Sequence, residues 1–404
     1  HYKALLTDRQ RDEYKAEVRA VRAMFYYYAM DMFGRIPVLE STAQKTADIR
    51  QSERSEVFSY IVNELQTVAP LLPLEHSNLQ GNYYGRVTRP VAWFLLAKLA
   101  LNAEVYTDNN WTDSSRPDGK MILFDIDGTQ KNAWQTCIHY CDLIAAAGYS
   151  LESDYASNFA VHNENSKENI FTLDKMLYLN EFHYLFRSRH YAHGGAYGGA
   201  SENGTCATLH TMAVNGYGTA SPDTRLELNF YTGRVEVDGK YVTLDDGTPL
   251  QYQPLAVEQN LTASKYIETA GARMKKYEVD RTAYSDGRMP DNDIVLYRYA
   301  DVLLMKAEAK VRNGESGDEQ LNAVRSRAGM PSLAATLANI LDERLLELVW
   351  EGWRRQDMIR FDTYCEPYDI HTPSAADKKR YTIVFPIPEK ACELNPNLVQ
   401  NPGY

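Results

Sequence analysis

The fold is decided by the stretch Ile294–Phe361, which reads IVLYRYADVLLMKAEAKVRNGESGDEQLNAVRSRAGMP, then a short spacer, then NILDERLLELVWEGWRRQDMIRF. Two breakers, at Asn313-Gly314 and at Gly329 to Pro331, divide it into three predicted helices, because Gly suits the left-handed exit of a helix and Pro cannot continue one. Apolar residues of the first helix recur at i, i+3 and i+7, the spacing of one buried face.

The third predicted helix is unusually rich in charge. Its residues Glu343, Glu347, Glu351 and Arg355 follow one another at the i, i+4 spacing and therefore share one face. On a surface helix these side chains would form ordinary solvated ion pairs, each worth only ~0.2–0.5 kcal/mol. The alternative is a scaffold helix whose ion pairs lock the last helices of the chain together. On that alternative, Glu351→Ala lowers stability.

The whole string resembles the C-terminal signature of the SusD/RagB family, the outer-membrane nutrient-binding lipoproteins of Bacteroidetes-type bacteria. The matching segments are RYADVLLMKAEA, a short acidic loop, LNAVRSRAGMP and the helix that ends in DMIRF. The end of the chain, from Pro386-Ile387-Pro388 to QNPGY, is similar to the end of family members as well. Asp223 and Arg225 resemble a DPR-like element of the family, for which we expect a structural ion pair.

The resemblance implies a mainly α fold, in which tetratricopeptide-like helical pairs form a curved scaffold that carries an irregular insertion. In the insertion, Asp238-Gly239 and Asp246-Gly247 are turn signals between β-prone pieces and predict a hairpin. We expect one SusD-like domain spanning 1–404. Its parts are N-terminal helical pairs at 8–147, the insertion at 174–293, C-terminal helical pairs at 294–361 and an extended segment at 362–404.

Composition narrows the class of partner. The formal charge of −11 over 404 residues argues against a nucleic acid, which would need a basic face. The 29 tyrosines suit polar ligand surfaces, since each ring is apolar and carries a hydrogen-bonding tip. No apolar run is long enough to cross a bilayer as a helix. The family resemblance implies a surface-exposed outer-membrane lipoprotein, whose N-terminal lipid anchor is not visible in this sequence.

Motifs for catalysis or metal binding are absent from the sequence, so we expect no enzyme, no catalytic residue, no metal and no cofactor. Cys137 and Cys141 lie one helical turn apart but lack two further ligands. Asp125 to Gly128 is similar to the start of a calcium loop, yet Thr136 occupies the twelfth position, where a bidentate Glu belongs. A plain Asp-Gly turn is the favoured interpretation.

Candidate ligand-binding residues lie in loops rich in Gly, Asn and Tyr. A sugar offers an apolar C–H face to an aromatic ring and hydroxyl groups to Asn, Arg and His. The alternative is that each tyrosine packs only against its own glycine-rich loop. The predicted ligand-binding residues are Tyr83, Tyr84, Trp111, Tyr191, His193, Tyr197 and Tyr217.

Three functions fit these observations. The first is non-enzymatic binding of an oligosaccharide or polysaccharide at the cell surface, for delivery to a SusC-like TonB-dependent transporter. The second keeps the fold and changes the ligand to peptide, as in RagB-like members of the family. The third is a helical-repeat interaction scaffold without a small ligand. On the first hypothesis, Tyr197→Ala weakens ligand binding and leaves stability unchanged.

Overall fold

A computed structural model describes residues 6–39, 43–173, 187–283 and 290–404. The α-helices are α1 Asp8–Phe33, α2 Arg54–Val68, α3 Arg89–Leu101, α4 Ala103–Tyr106, α5 Ala133–Ala146, α6 Tyr191–Ala196, α7 Leu209–Val214, α8 Leu226–Asn229, α9 Tyr299–Asn313, α10 Asp318–Arg327, α11 Leu337–Leu348, α12 Arg354–Arg360, α13 Ala375–Lys378 and α14 Glu389–Leu394. The strands are β1 Leu123–Ile126, β2 Thr129–Asn132, β3 Asn169–Leu173, β4 Phe230–Tyr231, β5 Gly233–Arg234, β6 Glu236–Val237, β7 Lys240–Tyr241, β8 Gln251–Tyr252, β9 Arg273–Met274 and β10 Ile294–Arg298.

The prediction of a mainly α fold is confirmed, and the helices pack in pairs. Helix α1 packs on α2, α3 on α5, and α9 on both α5 and α10, an arrangement consistent with tetratricopeptide-like pairing. Helix α3 lies at the centre, because nearly all its side chains are apolar and buried. Its Phe94 stacks on Tyr297 with the ring centroids 4.4 Å apart, which ties the N-terminal helices to the C-terminal block.

The first five residues of the C-terminal stretch form a strand, so the prediction of a helix beginning at Ile294 is wrong. Strand β10 pairs antiparallel with β3, Ile294 facing Leu173 and Val295 facing Thr172. β-Branched residues favour a pleated, buried environment. The helical periodicity begins only at Tyr299, whose backbone N–H donates to Glu168 O at 2.8 Å.

The prediction of one long third helix is also wrong, because the segment divides into α11 and α12. Trp350 adopts φ +67° and Gly352 φ +83°, conformations that end a right-handed helix. Lys276 Nζ donates to the carbonyl groups of Glu347 (3.0 Å) and Val349 (2.9 Å), which the break leaves without helical partners. The Trp350 indole donates to Asn229 O at 3.2 Å and fixes the turn.

The charged face of α11 is buried, so the surface-helix interpretation is wrong. Glu347 is fully buried and contacts Arg225 at 2.7 Å, Arg298 at 2.5 Å and also Arg327. Burial alone would raise the pKa of Glu347, but these three guanidinium groups outweigh it and hold the pKa well below its usual value. The carboxylate therefore stays ionised at neutral pH.

Further buried ion pairs adjoin those of Glu347. Glu351 pairs with Lys276 at 2.5 Å and with Arg298 at 2.8 Å. Asp223 holds Arg225 through two oxygens, at 2.8 and 2.9 Å, which confirms the structural ion pair expected there. We call the buried charges that surround α11 the ion network; they are Glu168, Asp223, Arg225, Lys276, Arg298, Arg325, Arg327, Glu343, Glu347 and Glu351.

The irregular part between β3 and β10 contains short strand pairs among its described residues. β6 and β7 form a hairpin whose turn residues, Asp238 (φ +51°) and Gly239 (φ +73°), confirm the predicted Asp-Gly turn. β5 pairs with β8 and β4 with β9. An equivalent Asp-Gly turn joins β1 to β2, where Gly128 N donates to Asp125 Oδ1 at 2.7 Å, as the simple-turn interpretation predicted.

Candidate ligand-binding surface

Helix α6 carries two of the predicted ligand-binding residues, Tyr191 and His193, and a third, Tyr197, follows its last residue directly. The side chain of His190 caps the helix by accepting from Ala192 N at 3.1 Å. Gly194 permits the following loop to pass close by, because a Cβ atom there would lie 2.2 Å from Ser201 Oγ. The single turn of helix therefore presents its side chains at a fixed place on the insertion.

Four rings converge at α6, and we call them the tyrosine cluster: His193, Tyr197, Tyr231 and Tyr252. His193 Nδ1 hydrogen-bonds to Tyr252 Oη at 3.0 Å, and its ring meets Tyr231 edge-on at a centroid distance of 4.5 Å. Tyr197 lies 5.3 Å from His193, with its hydroxyl 3.4 Å from that of Tyr231. Tyr252 is fully buried and forms the floor, whereas Tyr197 and Tyr231 are half-buried.

His193 supports the rings from inside the cluster, and its role as a direct ligand contact stays a prediction. Its side chain is fully buried. Burial, followed by the nearby charge of Arg189, lowers the pKa of His193 to about 3, so the ring is neutral at physiological pH. Its Nε2 atom is buried without a hydrogen-bond partner among the described residues.

Three cations lie over the outer rings of the cluster. The guanidinium of Arg189 lies 5.7 Å from the ring centroids of both Tyr197 and Tyr231. Arg281 lies 5.1 Å from the Tyr197 ring, and Lys275 5.7 Å from the Tyr231 ring. Each distance is within the range of cation–π attraction. The surface therefore combines flat apolar faces with concentrated hydrogen-bond donors.

Tyr191 stands at the rim of this surface with 59% of its area exposed, its ring 5.6 Å from that of His190. Tyr231 and Tyr252 were not among the predicted residues, although the structure places both beside α6. No local motif marks them, since they meet only because β5 pairs with β8 across a long connection. Their position beside short β-prone pieces is the only sequence signal.

Tyr83 and Tyr84 lie elsewhere, in the connection between α2 and α3. Tyr83 borders a cleft of about 680 Å³ beside the start of α1. The guanidinium of Arg86 lies 5.0 Å from the Tyr83 ring and 5.2 Å from the Tyr14 ring. Tyr84 donates its hydroxyl to Asp293 Oδ2 at 2.6 Å, a contact that joins this connection to the base of β10.

Trp111 is buried in the hydrophobic core, and its role as a ligand contact stays a prediction. Only 3% of its surface is exposed, with Arg54 4.9 Å from the ring centroid and Gly34 packed close to its edge. Tyr217 is half-buried and packs against the cluster that includes Met212 and Phe230. Neither residue joins the tyrosine cluster.

A second cleft, of about 440 Å³, lies at the break between α11 and α12. Leu345, Leu348, Val349 and Met358 give it an apolar lining, and α7 forms the opposite wall through Thr211 and its neighbours. Two partly buried rings, Trp350 and Tyr368, also line it. The tyrosine cluster differs from this cleft because it brings four rings and three cations together.

Within the described part of the chain, no three His, Cys, Asp or Glu side chains are placed to hold a metal ion. Cys137 and Cys141 are free thiols buried in the helical core. No helix among the described residues is both long enough and apolar enough to cross a membrane.

Comparison with known proteins relates the chain to one family. Residues 125–404 match the model of the SusD family. The starch-binding protein SusD of Bacteroides thetaiotaomicron is 24% identical over 443 aligned positions, which cover 99% of this chain and 74% of that protein. The surface glycan-binding protein A of Bacteroides uniformis superimposes with a TM-score of 0.72 at 21% identity, covering 98% of this chain and 79% of that one. A surface glycan-binding protein A of B. thetaiotaomicron, solved in complex with laminarihexaose, gives a TM-score of 0.69 at 22% identity, with the same two coverages.

Proposed function

The chain belongs to the SusD family, and from that premise we propose that it binds glycans at the bacterial cell surface without catalysing a reaction. The observation that carries the proposal is the tyrosine cluster, where Tyr197 and Tyr231 offer half-buried rings next to cationic donors. Relatives named for binding starch and surface glycans support the same class of ligand.

Binding in this proposal needs no covalent step. The C–H face of a sugar ring covers Tyr197 or Tyr231, and burial of that apolar surface is favourable by roughly 25 cal/mol per Å². Arg189, Lys275 and the tyrosine hydroxyls donate to the sugar oxygens. Because His193 and Tyr252 hold the outer rings from below, little side-chain freedom is lost when ligand arrives.

The bound glycan is then passed to a SusC-like TonB-dependent transporter, with the protein held at the outer membrane by an N-terminal lipid anchor. The family membership supports this partner and this location. Tyr191 on α6 and Tyr197 directly after it are the ligand contacts that we propose first, and Tyr83 on its separate cleft is a second candidate contact.

Calorimetric titration against laminarihexaose, maltohexaose, a panel of polysaccharides and a panel of peptides tests the proposal. We expect saturable binding of at least one glycan, weakened by Tyr197→Ala. The matched control is Phe25→Ala, which removes an aromatic ring that is 67% exposed on α1, outside the insertion. Equal weakening by both variants would place the site elsewhere.

The peptide panel separates the ligand classes. Tight peptide binding without any glycan binding would favour a RagB-like peptide receptor, and failure of both panels would favour an interaction scaffold. Chromatography of the titration mixture would detect any shortened sugars. Their release would show that the protein is an enzyme.

A further inference from the structure

Arg189 differs from every other buried cation in the described part of the chain. It is 5% exposed, its Nε is buried without a partner, and its guanidinium forms no ion pair or hydrogen bond with a described residue. The remaining buried lysines and arginines each reach a carboxylate or a backbone carbonyl. They are Arg54, Lys98, Arg225, Arg273, Lys276, Arg298, Arg325, Arg344 and Arg360.

The surroundings of Arg189 are positive. Arg281 and Lys275 place two further cations over the same two rings. Asp238 pairs with Arg281 at 2.6 Å at the exposed tip of the β6–β7 hairpin, whereas the exposed ammonium of Lys275 has no ion pair with any described residue. Glu268 faces the His190 ring, at 3.4 Å. Of the three cations Arg189, Lys275 and Arg281, only Arg281 forms an ion pair with a described carboxylate.

A buried guanidinium that lacks an anion is costly to keep, and attraction to aromatic rings offsets only part of that cost. Buried groups left unsatisfied in this way commonly belong to binding sites, where the ligand completes the set of partners. A planar guanidinium matches the two oxygens of a carboxylate or a sulfate. The missing partner of Arg189 is therefore best supplied by an anionic ligand.

We propose that Arg189 and Lys275 bind the anionic substituent, a carboxylate or a sulfate ester, of an acidic glycan whose sugar ring lies on Tyr197 and Tyr231. The inference rests on the proposed function and narrows it from glycans in general to acidic glycans. The rings supply the stacking that any sugar can use, and the two cations supply the preference for charge.

Paired titrations test this inference. The probes are oligogalacturonate and a sulfated oligosaccharide, each compared with neutral laminarihexaose of similar length, and inorganic sulfate alone. We expect one acidic oligosaccharide to bind at least about tenfold more tightly than the neutral one, the effect of a charge-assisted hydrogen-bonded pair. Comparing oligogalacturonate with the sulfated oligosaccharide distinguishes a carboxylate from a sulfate ester as the preferred group. Inorganic sulfate alone should bind weakly, because it cannot stack on the tyrosine rings.

Three variants locate the charge preference. Arg189→Gln should weaken binding of the acidic oligosaccharide far more than binding of the neutral one, and so abolish the preference, and Arg189→Lys should restore part of it. Lys275→Gln should reduce the preference for the acidic oligosaccharide. Lys275 is exposed, so this substitution should not affect folding. The matched control is Lys265→Gln, which removes an exposed charge lying over Tyr266 elsewhere in the insertion.

Two results would overturn the inference. One is equal affinity for acidic and neutral oligosaccharides. The other is an acidic preference that survives both Arg189→Gln and Lys275→Gln. Neutral binding with no acidic preference would leave the proposed function intact. If neither acidic nor neutral oligosaccharides bind, the proposed function itself is contradicted.

Discussion

The ion network around α11 and the tyrosine cluster on α6 both bury arginine, but they complete its interactions differently. In the network, Arg298 contacts Glu168, Glu347 and Glu351, all within the protein. In the cluster, Arg189 contacts aromatic rings and no described carboxylate. A cation whose partners are all internal stabilises the fold, whereas we propose that Arg189, which lacks an anion, pairs with a ligand.

The position of the two regions in the chain agrees with this difference. The ion network joins α10, α11 and β10 to Arg225, just before α8, and to Lys276, just after β9, so its loss affects several elements at once. The tyrosine cluster joins a single helical turn to short strands of the insertion. Changes in the network should therefore act on stability, and changes in the cluster should act mainly on binding.

The largest expected effect comes from Glu347→Ala. Removal of this carboxylate leaves Arg225, Arg298 and Arg327 buried without their shared partner, which should cost about 3–5 kcal/mol in the free energy of unfolding. Thermal and denaturant unfolding would measure it. Glu366→Ala, at an exposed position, is the matched control and should change stability by less than about 0.5 kcal/mol. A Glu347 variant as stable as the control would show that the network is not structural.

Trp111→Ala should destabilise the protein by about 3 kcal/mol or more, since a large buried ring is removed. Measured below its unfolding transition, the variant should bind glycan like the unaltered protein. A loss of glycan affinity without a loss of stability would show that Trp111 contacts the ligand and would contradict its structural role.

Acid should unfold the protein by protonating buried carboxylates that are paired with cations, both in the ion network and outside it. Glu347 and Asp357 have folded-state pKa values below their usual 4.5 and 3.8, because paired cations outweigh burial. Groups with depressed pKa values contribute stability that is present above the unfolded pKa and is lost as the pH falls through the folded one. Stability should decline from about pH 5 to pH 2. A free energy of unfolding that stays constant over that range would contradict the role given to these carboxylates. Glu347→Gln should make the loss of stability with falling pH less steep.

Tyr191→Ala should have the smallest effect. The side chain is 59% exposed, so the free energy of unfolding should change by less than about 0.5 kcal/mol. Loss of its ring from the rim should weaken glycan binding by less than Tyr197→Ala does, because Tyr197 belongs to the cluster itself. Titration of both variants against the same glycan checks the order, and the reverse order would move the binding surface to the rim.

Sequence reasoning succeeded where the signal is local. The predicted breaker Asn313-Gly314 ends α9, with Gly314 in the left-handed conformation, and the Asp-Gly turns at 238–239 and 127–128 lie where expected. Ile294–Arg298 was misassigned because its strand partner, β3, lies more than a hundred residues earlier in the chain. Long-range pairing of this kind leaves no local periodicity.

The ligand surface was predicted only in part for the same reason. Tyr191 and Tyr197 are visible in the glycine-rich loop, but Tyr231 and Tyr252 join them only through the fold of the insertion. Trp111 lies between polar residues of its loop, a pattern that gives no signal of burial. Its burial depends on Gly34 and on Arg380, which donates to Trp111 O at 3.2 Å from the other end of the chain.

The ion network is assigned to stability and the tyrosine cluster to binding. Measuring both properties in Glu351→Ala and in Tyr197→Ala tests this assignment most directly. Unfolding free energy and glycan affinity would be determined for both variants. We expect Glu351→Ala to lose several kcal/mol of stability, since Lys276 and Arg298 lose a buried partner, and to bind normally while folded. Tyr197→Ala should keep its stability and bind less tightly. Loss of both properties in both variants, or the reverse assignment, would contradict the account.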